Sequence, residues 1–146
     1  MKITRINDTD YNIYYYKSIF DEKSLYDDIK ELVKRIQKRL KLKGLYKVIA
    51  INKKIGLFLR LERVDDAFYK NSLDLKIEIK DSLVYYQTTD YFVLDGLSNI
   101  RYKDGMYYCI VDSSFDDILE KVEFGDFIFG YDIEKVIIWK VRKNFL

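Results

Sequence analysis

Between Ser24 and Lys41 the chain reads SLYDDIKELVKRIQKRLK. Leu25, Ile29, Leu32, Val33, Ile36 and Leu40 recur at intervals of 3 and 4, which draws one apolar stripe along a helix. Ser24, with Asp27 three residues on, resembles a capping box, and Asp21 is an alternative cap. Asp27, Asp28 and Glu31 fall near the positive end of the helix dipole. Lys34, Arg35, Lys38, Arg39, Lys41 and Lys43 crowd its negative end, and Gly44 is placed to supply a left-handed C-cap. A stripe of this kind must be covered, so the helix predicts a sheet face beneath it.

The surrounding sequence supplies that sheet. Short strands are predicted at Lys2–Ile6 and Tyr11–Lys17, and a hairpin joins Leu45–Ile51 to Ile55–Arg63 across Asn52-Lys53-Lys54. Leu73-Asp-Leu-Lys-Ile-Glu-Ile79 alternates strictly, the mark of a strand with one buried and one wet face. Leu83–Gln87 follows, with Tyr91–Leu94 as a continuation. Asn99–Lys103 and Met106–Val111 flank Asp104-Gly105, a strong two-residue hairpin signal. Phe115, Ile118, Leu119 and Val122 predict a short helix over about 114–123. Gly125 and Gly130 bracket Phe127-Ile128-Phe129, and the apolar run Val136–Trp139 suits a strand covered on both faces. The fold class expected is α+β, a mainly antiparallel sheet of hairpins packed by the helices at about 24–41 and 114–123. One domain over 1–146 is expected, with a possible subdomain boundary near 65–72.

Composition narrows the chemistry. The 146 residues include 26 Lys or Arg and 24 Asp or Glu, with 49% hydrophobic and 34% charged side chains, the proportions of a globular domain. There is no histidine, which removes Ser-His-Asp and Cys-His catalysis and every Cys/His zinc site. Cys109 is the sole cysteine, so an intramolecular disulfide is impossible. No apolar h-region follows Met1 and no stretch is long enough to cross a bilayer, so the expectation is a cytoplasmic protein without a membrane partner. Residues 1–80 carry 19 basic and 12 acidic side chains, net +7, whereas residues 81–146 carry 7 and 12, net −5.

Three constellations invite a functional reading. Glu78-Ile79-Lys80 has the Glu-x-Lys spacing of metal-dependent nucleases, and residues two apart on a strand share a face. Asp74-Leu75-Lys76 repeats the pattern, which is also what any charged wet face produces. Asp112, Ser114, Asp116, Ile118, Glu120 and Glu123 match calcium-loop positions, but Asp117 stands where the sharp turn requires glycine. The basic group Lys34, Arg35, Lys38, Arg39, Lys41 and Lys43 fits nucleic-acid phosphates, although cations at a helix C-terminus also have a local reason in the dipole. The six glycines are scattered singly and build no phosphate loop, so no cofactor is implied. Cys109, among Tyr107, Tyr108, Ile110 and Val111, reads as a small core residue.

The opening Met1-Lys2-Ile3-x-Arg5-Ile6-Asn7, with a strand, a helix and a hairpin ending Gly56-Leu57, resembles the start of MecA-type adaptor proteins. That family hands substrates to a Clp unfoldase, so the resemblance implies an adaptor without chemistry. It covers about the first 60 residues; beyond them only Tyr102-Lys103-x-Gly105-x-Tyr107-Tyr108 is similar. The family's separate helical second domain has no counterpart, and no residue role carries over.

Taken together, the residues favour a non-enzymatic protein-binding module of inhibitor, immunity, antitoxin or adaptor type. With 14 tyrosines and a polarised charge, recognition is expected to use a tyrosine-rich surface, here Tyr14, Tyr16 and Tyr86. The partner expected is another protein, with a homodimer possible. Nucleic-acid binding through 34–43 is the alternative, and a nuclease using Glu78 and Lys80 the second.

Overall fold

The computed structural model describes residues 1–16, 23–64, 72–97, 100–112, 115–116, 118–129 and 142–143. The fold is α+β with mainly antiparallel sheets. The chain divides into two compact units, Met1–Asp81 and Ser82–Leu146. Of the boundary region expected near 65–72, residues 65–71 lie outside the described residues, as does the strand expected over 134–141.

The first unit contains β1 (Lys2–Arg5), β2 (Tyr11–Tyr15), α1 (Leu25–Leu40), β3 (Gly44–Lys53), β4 (Gly56–Arg63) and β5 (Leu73–Ile79). Its sheet has the order β1-β2-β4-β3-β5. Every pairing is antiparallel except β5 with β3, which is parallel. Alternation identified β5 as a strand, but its direction depends on which edge was free. Helix α1 buries Leu25, Ile29, Leu32, Val33 and Ile36 against Ile13, Val48, Ala50, Leu57, Leu59 and Leu61, while Leu73, Leu75, Ile77 and Ile79 pack at the margin. Each large side chain fully removed from water contributes about 1.5–3 kcal/mol, so this face is the main reason the unit holds together.

Both ends of α1 differ from the sequence expectation. Ser24 makes no side-chain cap to the backbone; its Oγ donates to Asp28 Oδ2 at 2.9 Å instead. The left-handed residue at the C-terminus is Lys41 (φ 54°), not Gly44. There Leu42 N–H bonds to Gln37 O at 3.3 Å, and the Gln37 side chain returns to Leu42 O at 3.1 Å, closing the turn three residues early. Gly44 already belongs to β3. The β3–β4 turn is also tighter than expected. Lys53 pairs with Gly56, leaving Lys54-Ile55 at the tip, and the Tyr14 hydroxyl donates to Ile55 O at 2.6 Å.

The second unit contains β6 (Val84–Thr88), a 3-10 turn (Tyr91–Leu94), β7 (Arg101–Lys103), β8 (Met106–Ile110), α2 (Ile118–Phe124), β9 (Gly125–Phe129) and β10 (Arg142–Lys143). Its sheet is antiparallel throughout, in the order β10-β7-β8-β6-β9. The hairpin turn at Asp104-Gly105 forms as expected, with both residues at positive φ (51° and 82°). Tyr91–Leu94 does not extend β6, because Asp90 caps a 3-10 turn there. Helix α2 starts at Ile118, later than the expected 114, and Ser114 and Asp117 lie outside the described residues.

Tyr86 is the hub of this unit's core. Its ring centroid lies 5.4 Å from Phe115 and 5.6 Å from Phe127, and its hydroxyl donates to Lys121 O at 2.6 Å. Helix α2 runs into β9 without a loop, and Gly125 sits at the junction. A Cβ there would collide with Gln87 O and the Tyr86 ring, so only glycine fits.

Candidate functional site

The strongest outward-facing feature of the second unit begins with a hydrogen-bond chain. Thr88 Oγ1 donates to Phe124 O at 2.7 Å and accepts from Asp90 N–H at 3.0 Å. Asp90 Oδ1 then accepts from Phe92 N–H at 3.0 Å. Val93 and Leu94 are buried beneath the turn. The turn is thus pinned by side chains above β6, and it presents Phe92 at 86% exposure. Beside it, Tyr107 sits between two half-exposed rings, 5.4 Å from Tyr91 and 5.0 Å from Tyr102. Helix α2, which packs against the turn, adds Leu119 at 83% exposure and Phe124 at 48%.

Leu119 faces out because Lys121 faces in. The sequence predicted that Phe115, Ile118, Leu119 and Val122 would line one helical stripe. Since the helix starts only at Ile118, Phe115 is not in register with it. Lys121 is buried instead, with Nζ donating to Asp116 O at 3.1 Å and lying 5.4 Å over the Phe115 ring.

The tyrosines expected at the recognition surface were Tyr14, Tyr16 and Tyr86. Tyr14 is 3% exposed and Tyr86 0%, so neither is a contact residue. Both bury the ring in a sheet core and spend the hydroxyl on a backbone carbonyl. Burial pushes the Tyr14 hydroxyl up to about 12 and raises that of Tyr86 further. Tyr16, at 50% exposure, is outward-facing as expected. The useful signal missed was Asp90-x-Phe92 after a strand, an Asx-capped turn that lifts its third residue clear.

The basic group lies on the first unit. Lys34, Arg35, Lys38, Arg39, Lys41 and Lys43 are all exposed, and no side chain among them pairs with a carboxylate of the described residues. Glu78 and Lys80 do come together, but as an ion pair at 3.7 Å, with Lys47 on the other Glu78 oxygen at 3.8 Å. A carboxylate held between two lysines is a poor metal ligand. Among the described residues no three Asp, Glu, His or Cys cluster as a metal site would require. Arg60 is buried on β4, with Nη1 donating to Asn12 Oδ1 at 3.2 Å and Nε 3.3 Å from Glu62. Cys109 is buried, and desolvation pushes its thiol up to about 12, the opposite of an activated nucleophile.

An open cleft of about 130 Å³ lies beside Gln87, Thr88, Phe124 and Asp126. Small-molecule sites usually enclose roughly 300–1,000 Å³. No helix among the described residues is long and apolar enough to cross a membrane. In comparisons with protein-family models, curated proteins and solved structures, nothing matches this chain, and the resemblance to MecA-type adaptors gains no support from them.

Proposed function

We propose that this chain is a protein-binding module without chemistry of its own, acting in the cytoplasm as an inhibitor, immunity, antitoxin or adaptor protein. The observation that carries this reading is Phe92, a large aromatic side chain held outward at 86% exposure by a turn that three hydrogen bonds fix. Because the backbone that carries the ring is already fixed, binding has little further main-chain freedom to remove there, which favours an interface hot spot. Tyr91, Tyr102 and Tyr107 extend the surface with rings that have a polar tip. Asp90 and Asp95 cap the turn, and Glu120 and Glu123 lie on α2, which packs against it, so the acidic character of this unit favours a partner with a basic rim.

The test is capture from native lysate, after nuclease treatment, with the tagged full chain and two variants. Phe92→Ala is expected to lose at least tenfold of a stoichiometrically recovered protein. Tyr26→Ala, which removes an exposed aromatic (56%) from the other unit, is expected to keep it. Equal recovery by wild type and Phe92→Ala would remove the aromatic turn from any interface.

A further inference from the structure

We propose that the solvent-facing ridge of α1 binds a single-stranded nucleic acid, with its lysines on the phosphodiester backbone and Tyr26 stacked on a base. Tyr26, Lys30, Lys34 and Lys38 follow one another at i, i+4 spacing, and Lys41 comes next at the C-cap of the helix. At 1.5 Å of rise per residue, Lys30 to Lys41 spans about 16 Å, enough for several consecutive phosphates. Arg35 and Arg39 flank the ridge on one side.

Three observations separate this ridge from an ordinary solvated helix face. First, several cations on the sheet side of the same unit meet carboxylates, Arg5 with Asp8, Lys47 and Lys80 with Glu78, Lys53 with Asp81, and Arg60 with Glu62, although Lys76 on β5 meets none among the described residues. The ridge side chains are all exposed, and none makes an ion pair or hydrogen bond among the described residues. Second, Asp27 and Glu31 stand three or four residues before Lys30, Lys34 and Arg35 and relieve their mutual repulsion, whereas Lys38, Arg39 and Lys41 have no acidic residue three or four positions away, so the C-terminal half of the ridge is purely cationic. Third, Tyr26 stands one turn ahead of the first lysine at 56% exposure. A base stacked on such a ring contributes about 1–3 kcal/mol without reading sequence. A duplex keeps its bases stacked inside, so the tyrosine gives the ridge a preference for single strands.

The experiment is fluorescence anisotropy of the full chain with a labelled single-stranded DNA 20-mer of mixed sequence and with the matching duplex. Affinity for the single strand is expected to fall with salt at a logarithmic slope of about −3, the value for four phosphates at about 0.7 each. Lys34→Gln/Lys38→Gln is expected to weaken binding at least tenfold. Lys54→Gln/Lys76→Gln, which removes the same charge from exposed positions off the ridge, is expected to change it less than twofold. Tyr26→Ala is expected to cost at least fivefold on the single strand and nothing on the duplex. Equal losses for the two double variants would overturn the proposal, since net charge alone would then explain binding. So would a tighter duplex than single strand, or binding only to anionic phosphatidylserine vesicles. Glutamine preserves helix propensity, and circular dichroism of each variant shows that α1 is intact.

Discussion

The two units solve the same problem by different means. Each lays a helix on a five-stranded sheet, yet α1 runs 16 residues and α2 only 7. Helix α1 is long enough for its periodicity to fix which face is buried, and every residue of its central stripe is where that period puts it. In α2 two turns are too few, and the tertiary environment overrides the pattern, turning Lys121 in and Leu119 out. The charges separate as well: Met1–Asp81 carries 19 basic and 13 acidic side chains, net +6, against 7 and 11, net −4, in Ser82–Leu146. The lesson is that a long amphipathic element reports its own packing, whereas a short one takes its orientation from neighbours.

The largest single-residue effect is expected in the core of the first unit. Ile29 is wholly buried in α1, so Ile29→Ala is expected to cost about 2–5 kcal/mol in urea unfolding, the loss of transfer energy plus a cavity. A loss below about 1 kcal/mol would mean that the helix face is not the keystone of its unit.

Gly125→Ala probes the second unit by crowding rather than by a void. Its methyl would press on Tyr86 and Gln87 O, with an expected cost of about 1–3 kcal/mol and a loss of near-ultraviolet aromatic signal. An unchanged midpoint would show that the α2–β9 junction yields more readily than its close packing implies.

Alkaline titration tests both cores at once. Burial raises the Tyr14 hydroxyl from 10.0 to about 12, so the folded state holds its proton more tightly than the unfolded chain does. The stabilisation is therefore complete below pH 10 and is lost between pH 10 and about 12. Tyr86 shifts in the same sense, and it continues to lose stability beyond that window. Stability followed from pH 9 to 12 should fall, and in Tyr14→Phe, which has no proton to lose there, the fall should be shallower. A parallel pH profile in the variant would show that Tyr14 does not govern the loss.

The smallest effect sharpens the account of α1. A backbone-capping serine replaced by alanine costs about 1 kcal/mol, but Ser24 caps no backbone N–H. Ser24→Ala is expected to cost less than about 0.5 kcal/mol, and a full unit would show that the cap forms in solution.

Much of the strand content was legible because alternation and turn chemistry are local. Leu73–Ile79 and the Asp104-Gly105 hairpin stand where the sequence put them. The candidate sites were less legible, since a tyrosine in a strand reads the same whether it faces core or solvent. Tyr14 and Tyr86 are buried on interior strands, each paired on both sides, and Tyr91 and Tyr102 are half exposed because a turn and a short strand carry them.

The α+β class, the span and buried face of α1, the tight hairpin at Asp104-Gly105 and the lack of histidine can all be read from the residues in chain order. These follow from periodicity, backbone sterics and composition, which act over a few residues at a time. The parallel pairing of β5, the inward turn of Lys121 and the outward turn of Phe92 emerge only in the folded chain. Each of these depends on which surface lies across from a residue, and that is fixed by residues far away in the chain.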